Sequence, residues 1–143
     1  MSHKKYKLGY TSGVFDLFHV GHLNILKKAK EDCEYLIVAV STDELVQTYK
    51  KKTPVIEFSD RSAIVESIKY VDKVVSQESR NKMAAFEKYK FDVMFVGDDW
   101  LGKPLWVKLE QELLEKGAVV SYIPYSQKVS STLLKDVLIK LSK

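Results

Sequence analysis

The sequence has one cysteine, three prolines and no long apolar run, and these shortages exclude several classes of protein. Because Cys33 is the only cysteine, the chain can form neither an internal disulfide nor a thiolate zinc cluster. No stretch approaches the length of a membrane span, and no apolar segment of signal-peptide length follows the basic start. We therefore expect a cytoplasmic protein without a membrane partner, in which Cys33 packs near the end of the first helix.

The charge of the sequence also argues against nucleic acid as a partner. The formal net charge is +4, the lysines are scattered, and the densest group, Lys50 to Lys52, is only three residues long. No basic and aromatic stripe accompanies them, so a site for small polyanions explains the charge equally well. Nucleic-acid binding is therefore the weaker alternative.

The order of apolar segments predicts an α/β fold. Residues 6–11 and 35–40 have the pattern of strands, and residues 20–31 between them have that of an amphipathic helix. A strand, a helix and a strand of this length form a parallel right-handed βαβ unit. Further strands are predicted at 73–75, 93–96 and 118–123, and further helices at 61–70, 80–89, 105–116 and 133–141. The chain should form one Rossmann-like domain, residues 1–143, with about five parallel strands and helices on both faces.

The stretch between the first strand and the first helix carries the chemistry. It reads Gly13-Val14-Phe15-Asp16-Leu17-Phe18-His19-Val20-Gly21-His22, and Gly13 permits a positive φ or the close approach of a ligand. His19 and His22 are three residues apart, so both imidazoles should lie on one face of the first helical turn, beside N–H groups that attract anions. Metal-binding helices usually space two histidines four apart around a carboxylate, so a phosphate chain suits this pair better than a metal. The alternative is that one histidine caps or packs while the other is solvated.

This stretch, which we call the signature turn (residues 13–22), resembles the GxFDxxHxGH motif of the cytidylyltransferases, a branch of the HxGH nucleotidyltransferase superfamily. The resemblance implies that the first helix cradles a nucleoside triphosphate and that His19 and His22 are catalytic at the α-phosphorus. It also implies nucleotide contacts from five residues: Gly13, Val14, Phe15, Asp16 and Gly21. Mg²⁺ is expected from the chemistry rather than from a ligand motif, with Asp16 as a nearby carboxylate.

Two segments follow the second strand. Ser41 to Glu44 resembles the STDE segment of the family, and we interpret it as a helix N-cap. Residues 49–58 contain three lysines and no apolar period, which predicts a loop. A basic loop of related enzymes closes over the triphosphate at this point, so the resemblance implies catalytic roles for Lys50 and Lys52. The alternative is a solvated run of charge.

The segment from Arg61 to Val74 resembles the R…RYVDEV stretch of the family, with Lys69 where an arginine is usual and Lys73 where a glutamate is usual. The resemblance implies that Arg61 and Lys69 bind the acceptor substrate and that Asp72 lies close to the nucleotide base. The exchange at Lys69 keeps the charge but loses the planar fork that makes bidentate contacts.

Gly97-Asp98-Asp99-Trp100 follows the fourth predicted strand, at the end where open α/β sheets bind ligands. It resembles the GDDW segment of the glycerol-3-phosphate cytidylyltransferases. The resemblance implies that Gly97 and Asp98 contact the nucleotide, whereas Asp99 and Trp100 contact the acceptor. An ordinary Gly-Asp-Asp turn is the alternative.

The last segment departs in part from the family. Residues 129–132 resemble the ISTT end of the RTxGISTT motif, which implies that Ser130, Ser131 and Thr132 bind nucleotide phosphates, although a plain helix cap explains the same residues. Residues 125–128 replace the Arg-Thr-x-Gly half of the motif. We expect Lys128 to supply the lost charge to the nucleotide and Tyr125 to stack on the base.

Together the resemblances imply a homodimeric enzyme that transfers CMP from CTP to a small phosphomonoester and releases pyrophosphate. Glycerol 3-phosphate is the first candidate acceptor, while choline phosphate, ethanolamine phosphate and other polyol phosphates stay open. Two alternatives stay open as well. One is adenylyl transfer from ATP, and the other is a nucleotide-binding module without catalysis.

Overall fold

Five parallel strands form the centre of the protein. The structure, a computed structural model, describes residues 4–124 and 137–141. The sheet has the order β3-β2-β1-β4-β5, and every neighbouring pair is parallel. The strands are β1 (Tyr6–Gly13), β2 (Cys33–Ser41), β3 (Lys73–Gln77), β4 (Val93–Gly97) and β5 (Val119–Ile123). This arrangement confirms the predicted Rossmann-like parallel sheet.

Helices connect successive strands. They are α1 (Val20–Asp32), α2 (Asp43–Lys50), α3 (Phe58–Glu66), α4 (Lys82–Tyr89) and α5 (Pro104–Glu115). Thr42 caps α2, because its side chain accepts a hydrogen bond of 3.1 Å from the backbone N–H of Leu45, as the sequence predicted. Helix α3 begins three residues before the predicted start and ends at Glu66, where Ser67 is its C-cap. Residues 137–141 are helical and belong to the predicted final helix, whose earlier residues lie outside the described part.

Each face of the sheet packs against its own pair of helices. On one face, Leu36 and Val38 of β2 lie in a core with Leu26 of α1 and Val65 of α3. On the other face, Ile37 of β2 lies in a second core. The rest of that core comes from β1, β4, α4 and α5. Its buried residues include Tyr10, Phe86, Met94, Trp106 and Leu113. The alternation of neighbouring β2 residues between the two cores explains why this strand is apolar throughout.

A close approach at the end of α1 accounts for Gly9 and Cys33. A Cβ added at Gly9 would lie 2.7 Å from Sγ of Cys33 and 2.7 Å from the ring of Phe95, so glycine is needed there. Cys33 is fully buried, and its Sγ donates a hydrogen bond of 3.3 Å to the carbonyl of Ala29. Burial is the main cause that raises the pKa of its thiol to about 11. The structure confirms that Cys33 packs rather than reacts.

β1 and β4 separate at the carboxyl ends of the strands. We call this end of the sheet the carboxyl edge and the opposite end the amino edge. β1 pairs with β2 as far as Gly13, but with β4 only at Gly9 and Tyr10. Beyond that point the hydroxyl of Thr11 donates a hydrogen bond of 2.8 Å to the carbonyl of Phe95. The connections leave to opposite faces here, which is where open α/β sheets bind ligands. Within the described ranges, no helix is long and apolar enough to cross a bilayer.

Candidate active site

Two histidines cap the N-terminus of α1 reciprocally. His19 is the N-cap residue, and its Nδ1 accepts a hydrogen bond of 3.0 Å from the backbone N–H of Gly21. In return, Nδ1 of His22 accepts a hydrogen bond of 3.2 Å from the backbone N–H of His19. The two ring centroids are 4.0 Å apart. The structure therefore confirms that both imidazoles lie together in the first turn, and it shows that both take part in capping.

This capping decides which ring nitrogen of each histidine carries the hydrogen. A backbone N–H always donates, so Nδ1 of each neutral ring accepts and the ring hydrogen is on Nε2. Nε2 of His19 is buried and has no hydrogen-bond partner among the residues that the structure describes. A buried donor without a partner costs free energy, so this position favours an incoming acceptor such as a phosphate oxygen.

Burial favours the neutral form of both imidazoles. It is the main cause that lowers the pKa of His22 to about 4; His19 lowers this pKa further, whereas Asp16 raises it. Burial also lowers the pKa of His19 below its ordinary value. Neutral rings that donate from Nε2 can stabilise growing negative charge without giving up a proton.

The signature turn itself is strained. Phe15 and Leu17 have φ angles of 55° and 49°, in the left-handed region that residues other than glycine rarely adopt. Each such residue costs about 1–3 kcal/mol and persists only when its surroundings hold it. Gly13 does not take a positive φ. A Cβ there would lie 3.1 Å from the ring of Phe15, so a larger residue would require this ring to shift by a few tenths of an ångström.

Asp16 fastens the lysine loop, which is the segment 51–57 between α2 and α3, to the signature turn. The residue is only 2% exposed, and its Oδ2 and Oδ1 accept hydrogen bonds of 2.8 Å and 2.9 Å from the backbone N–H groups of Val55 and Ile56. Each oxygen therefore accepts one hydrogen bond from the main chain and keeps a second lone pair, so a contact between Asp16 and Mg²⁺ stays a prediction. Across the described ranges, no group of three or more His, Cys, Asp or Glu side chains could hold a metal ion.

Arg61 holds the same region from beneath. Its side chain is fully buried. Nε donates to the carbonyl of Ile56 at 2.7 Å, and Nη1 donates to the carbonyls of Val14 and Ser41 at 2.7 Å and 2.8 Å. Nη2 donates to Oδ1 of Asp43 at 2.5 Å. We expected Arg61 to bind the acceptor; the structure corrects this, because the buried guanidinium joins the signature turn, β2, α2 and the lysine loop instead.

The two candidate lysines lie on this loop and beside it. Lys50 is the last residue of α2 and Lys52 lies in the following loop, and both are exposed. Nζ of Lys50 lies 5.9 Å from the ring centroid of Tyr49, and the guanidinium of Arg80 lies 4.3 Å from the same centroid. Asp16 thus brings the loop's main chain to the signature turn, while the catalytic roles of the two lysines stay predictions.

The Gly97 to Trp100 segment lies at the carboxyl edge, as predicted. Gly97 is the last residue of β4, and Asp98–Trp100 form a 3₁₀ turn directly after it. Asp98, Asp99 and Trp100 are all exposed, and the ring of Trp100 lies 5.8 Å from that of Trp106. The tight turn and a ligand-binding role are therefore compatible, because the turn presents its side chains to solvent.

Lys69 and Asp72 do not join this group. Asp72 precedes β3, so it lies at the amino edge of the sheet, opposite the signature turn. Its Oδ2 accepts hydrogen bonds from Nζ of Lys30 at 2.5 Å and from the backbone N–H of Leu36 at 2.8 Å. Lys69 is exposed in the turn before it, with Nζ 5.3 Å from the ring centroid of Tyr70. The structure thus corrects both expectations, because this segment fastens α1 and β2 together far from the site.

The structure adds Lys82, which the sequence analysis does not single out. Lys82 is the first residue of α4, and its Nζ donates a hydrogen bond of 2.7 Å to Oγ of Ser12, one residue before the signature turn. Helical spacing was the available signal. Lys82 and the buried Phe86 are four residues apart and therefore share one side of α4.

Comparison with known proteins agrees with this geometry. Residues 10–137 match the family described as cytidylyltransferase-like. The chain belongs to the cytidylyltransferase-like family. Its members are nucleotidyltransferases, which implies a nucleotide substrate and a small acceptor for this chain.

Curated relatives of this cytidylyltransferase-like chain have two different activities. A glycerol-3-phosphate cytidylyltransferase from Bacillus subtilis (strain 168) is 35% identical over 127 residues, which cover 88% of this chain and 92% of the relative. An FAD synthase from Korarchaeum cryptofilum (strain OPF8) is 35% identical over 133 residues, which cover 89% of this chain and 88% of the relative. Equal identity to both leaves the nucleotide and the acceptor to be argued from the site.

Solved structures support the fold alone. The lipopolysaccharide core biosynthesis protein from Thermoplasma volcanium GSS1 has a TM-score of 0.70 at 24% identity, covering 87% of this chain and 99% of that one. A pantoate-beta-alanine ligase from Francisella tularensis has a TM-score of 0.67 at 15% identity, covering 99% of this chain and 71% of that one.

The structure thus brings together most of the residues predicted for this cytidylyltransferase-like site. The signature turn, the lysine loop and the Gly97 to Trp100 segment all lie at one edge of the sheet. Five predicted residues fall outside the described part, and their roles stay predictions: Tyr125, Lys128, Ser130, Ser131 and Thr132.

Proposed function

We propose that this chain transfers CMP from CTP to a small phosphomonoester, with glycerol 3-phosphate as the first candidate acceptor, and releases pyrophosphate. The choice of CTP and of this acceptor is supported by the Gly97 to Trp100 segment, which resembles that of the glycerol-3-phosphate cytidylyltransferases, and by the 35% identity to a relative of that name. We also propose that the enzyme acts as a homodimer, which sedimentation of the pure protein would test.

The observation that carries the proposal is the buried Nε2–H of His19. It has no partner among the described residues, and it lies in the first turn of α1, where backbone N–H groups and the helix dipole also favour an anion. The Nε2–H of His22 belongs to a ring only 4.0 Å away. In this proposal the two donors face non-bridging oxygens of the α-phosphate.

The reaction needs no side-chain nucleophile. An oxygen of the acceptor's phosphate forms a bond to the α-phosphorus, while the bond from that phosphorus to the oxygen bridging to the β-phosphate breaks. The electron pair of the broken bond leaves with pyrophosphate. Positioning and charge stabilisation supply most of the catalysis in such a displacement, and the two imidazoles provide donors that need not reorganise.

The lysine loop would stabilise the leaving group. Lys50 and Lys52 are exposed cations beside a loop whose main chain is bonded to Asp16 and Arg61. We propose that one of them contacts the leaving pyrophosphate, and comparing turnover of Lys50→Met with that of Lys52→Met would identify which. We further propose that Mg²⁺ arrives with the triphosphate as part of the substrate, since Mg²⁺ often binds substrate phosphates and waters rather than a protein cage.

A second candidate is adenylyl transfer from ATP to FMN. It is favoured by the FAD synthase relative, which is as similar as the cytidylyltransferase, and FAD consists of FMN joined to AMP. The signature turn can serve either nucleotide, because its donors meet the phosphates rather than the base. Both candidates use a phosphomonoester as the attacking group.

One screen tests these alternatives together. Pyrophosphate release would be measured for CTP, ATP, GTP and UTP, each crossed with glycerol 3-phosphate, ethanolamine phosphate, choline phosphate and FMN. We expect release with CTP and glycerol 3-phosphate. Release with ATP and FMN alone would replace our proposal with the second candidate, and tight CTP binding without release for any acceptor would indicate a module without catalysis.

A further inference from the structure

One contact between a cation and an aromatic ring joins two distant parts of the chain. The guanidinium carbon of Arg80, in the turn between β3 and α4, lies 4.3 Å from the ring centroid of Tyr49 in the last turn of α2. In the other contacts of this kind within the described ranges, the cation and the ring are at most four residues apart. Tyr49 shares one side of α2 with the buried Leu45, four residues before it. The fold therefore holds the guanidinium in place at the carboxyl edge.

The hydrogen-bond donors of Arg80 are available to a ligand. A cation that lies over a ring is attracted by the π-electrons and does not need its N–H groups for this contact, and a guanidinium has five of them. Among the residues that the structure describes, Arg80 forms no ion pair and donates no hydrogen bond. Glu78 lies two residues before it but is exposed and does not pair with it. The side chain is thus positioned by Tyr49 alone.

Two further cations lie near Arg80. Nζ of Lys50 lies 5.9 Å from the centroid of the same tyrosine ring. Burial is the main cause that lowers the pKa of Lys82 to about 8, and the charge of Arg80 lowers it further. Nζ of Lys82 donates a hydrogen bond of 2.7 Å to Oγ of Ser12, the residue before the signature turn. In the part of the chain that the structure describes, no carboxylate lies within 4 Å of the charged group of Arg80 or Lys82. This part of the carboxyl edge is therefore positively charged.

The position of this charge indicates which substrate meets it. In the proposed reaction the nucleotide phosphates lie between the first turn of α1 and the lysine loop, which Asp16 and Arg61 of α3 hold. Helices α1 and α3 pack on one face of the sheet, whereas α4 packs on the other. In an in-line reaction the attacking group and the leaving pyrophosphate lie on opposite sides of the α-phosphorus. Arg80 leads into α4 and thus lies on the side from which the acceptor approaches.

We propose that Arg80, held on the ring of Tyr49, selects the acceptor by charge and disfavours phosphomonoesters that carry an ammonium group. A small acceptor is shorter than the Debye length of about 8 Å at physiological ionic strength, so an ammonium group at either of its ends is repelled by the guanidinium. Aromatic faces bind ammonium ligands, but Arg80 already covers the face of Tyr49. The inference rests on the proposed function, and it removes choline phosphate and ethanolamine phosphate from the candidate acceptors.

Three acceptors of similar size isolate the effect of charge. Glycerol 3-phosphate, ethanolamine phosphate and 3-phosphoglycerate carry the same phosphate, with a neutral, a cationic and an anionic end respectively. For the original protein we expect kcat/KM to be lowest with ethanolamine phosphate. In Arg80→Met the preference for glycerol 3-phosphate over ethanolamine phosphate should shrink about fivefold, the scale of one pair of unit charges about 4 Å apart in water. The kcat/KM for 3-phosphoglycerate, relative to glycerol 3-phosphate, should fall by a similar factor.

Three controls separate charge from structure. Arg80→Lys keeps the charge and should keep the original order of acceptors. Lys88→Met is the matched control, because Lys88 is an exposed cation 5.4 Å from the ring centroid of Tyr89 at the other end of α4, and it should leave the order unchanged. Raising the ionic strength to about 1 M shortens the Debye length to about 3 Å. The preference of the original protein should then approach that of Arg80→Met, which a purely structural role of Arg80 would not cause.

The same preference among the three acceptors in Arg80→Met and in the original protein would overturn the inference while the proposed function stood. If none of the three acceptors gives pyrophosphate release, the proposed function fails instead, and calorimetric titration with the three phosphomonoesters decides the inference. Weakest binding of ethanolamine phosphate by the original protein, with this difference reduced in Arg80→Met but not in Lys88→Met, would support selection by charge. Equal or tighter binding of ethanolamine phosphate by the original protein would exclude it.

Discussion

The two edges of the sheet use ion pairs for different purposes. At the amino edge, Lys30 and Asp72 form a pair whose side chains are 23% and 31% exposed, and it joins α1 to the starts of β2 and β3. At the carboxyl edge the side chain of Arg61 is 0% exposed, and it binds Asp43 together with three backbone carbonyls. The first pair closes a surface, whereas the second is the support on which the signature turn and the lysine loop rest.

The two edges also differ in how many hydrogen-bond partners their polar side chains have. At the amino edge, Asp72 is bonded to a lysine and to a backbone N–H. At the carboxyl edge, within the described part of the chain, Nε2 of His19 has no hydrogen-bond partner and the ammonium group of Lys82 has one hydroxyl as its partner. The buried network at the carboxyl edge therefore positions donors that are available to a ligand, whereas the polar groups at the amino edge bond to one another.

The largest expected difference between the two edges is the loss of stability when the cation of each ion pair is removed. We expect Arg61→Met to lower the free energy of unfolding by about 3–5 kcal/mol, because it breaks the ion pair between a fully buried guanidinium and Asp43 and leaves three backbone carbonyls without this donor. Lys30→Met should cost at most about 1 kcal/mol, because its pair is partly exposed. Urea denaturation of both variants checks this prediction. Similar losses for both would contradict the contrast between the edges.

The second prediction separates chemistry from capping at His19. His19→Ala should lower turnover by about a hundredfold or more, the scale of losing one transition-state donor. His19→Asn should lose about as much turnover while keeping an acceptor for the N-cap hydrogen bond, so only the alanine variant should also lose about 1 kcal/mol of stability. Steady-state kinetics and thermal melting of both variants give the two readouts. Near-normal turnover in either would show that this ring is not the donor.

The third prediction concerns pH. The pKa of His22 is about 4 in the folded protein against an ordinary value of 6.5, so the unfolded chain binds this proton more readily. The resulting stability is present above about pH 6.5 and is lost as the pH falls toward 4, reaching a loss of about 2 kcal/mol at about pH 5. His22→Gln keeps a capping-box acceptor but does not titrate. Denaturation curves of both proteins from about pH 7.5 to about pH 5 should therefore differ in slope, and parallel curves would refute the assignment.

The smallest effect is expected within the Gly97 to Trp100 segment. Asp99→Asn should raise the KM for the acceptor about fivefold, the worth of one hydrogen bond of about 1 kcal/mol. Asp98→Asn should instead raise the KM for the nucleotide by a similar factor. Because the two residues are adjacent and both exposed, each variant is the control for the other. A shared effect on one substrate would show that the roles are not divided in this way.

The fold followed from periodicity because its main elements have clear patterns. β2 is apolar throughout since both of its faces are covered, and the strand, helix and strand order around the signature turn left one parallel arrangement. The pairing of His19 and His22 followed from their spacing of three residues. Their reciprocal hydrogen bonds did not, because they depend on the backbone conformation at the helix start.

The misplaced residues share one physical cause. A motif matched along the chain gives the order of residues but not the sheet edge on which each one lies, so Asp72 was assigned to the wrong edge. Arg61 follows Ser59 and Asp60 at a helix start, a pattern typical of a solvated surface. Only the converging carbonyls of Val14, Ser41 and Ile56 reveal that it is buried. Such convergence of distant segments has no local signal in the sequence.

The reciprocal caps of α1 limit what its two rings can do with protons. Nδ1 of each ring is occupied by a main-chain N–H, so adding a proton there would break the start of the helix, and Nε2 already holds its hydrogen. The two imidazoles are therefore poorly suited to transfer protons, and we expect their protonation states to stay unchanged during the catalytic cycle. Turnover in heavy water should accordingly be almost as fast as in ordinary water, because no proton is transferred while the bonds to phosphorus form and break.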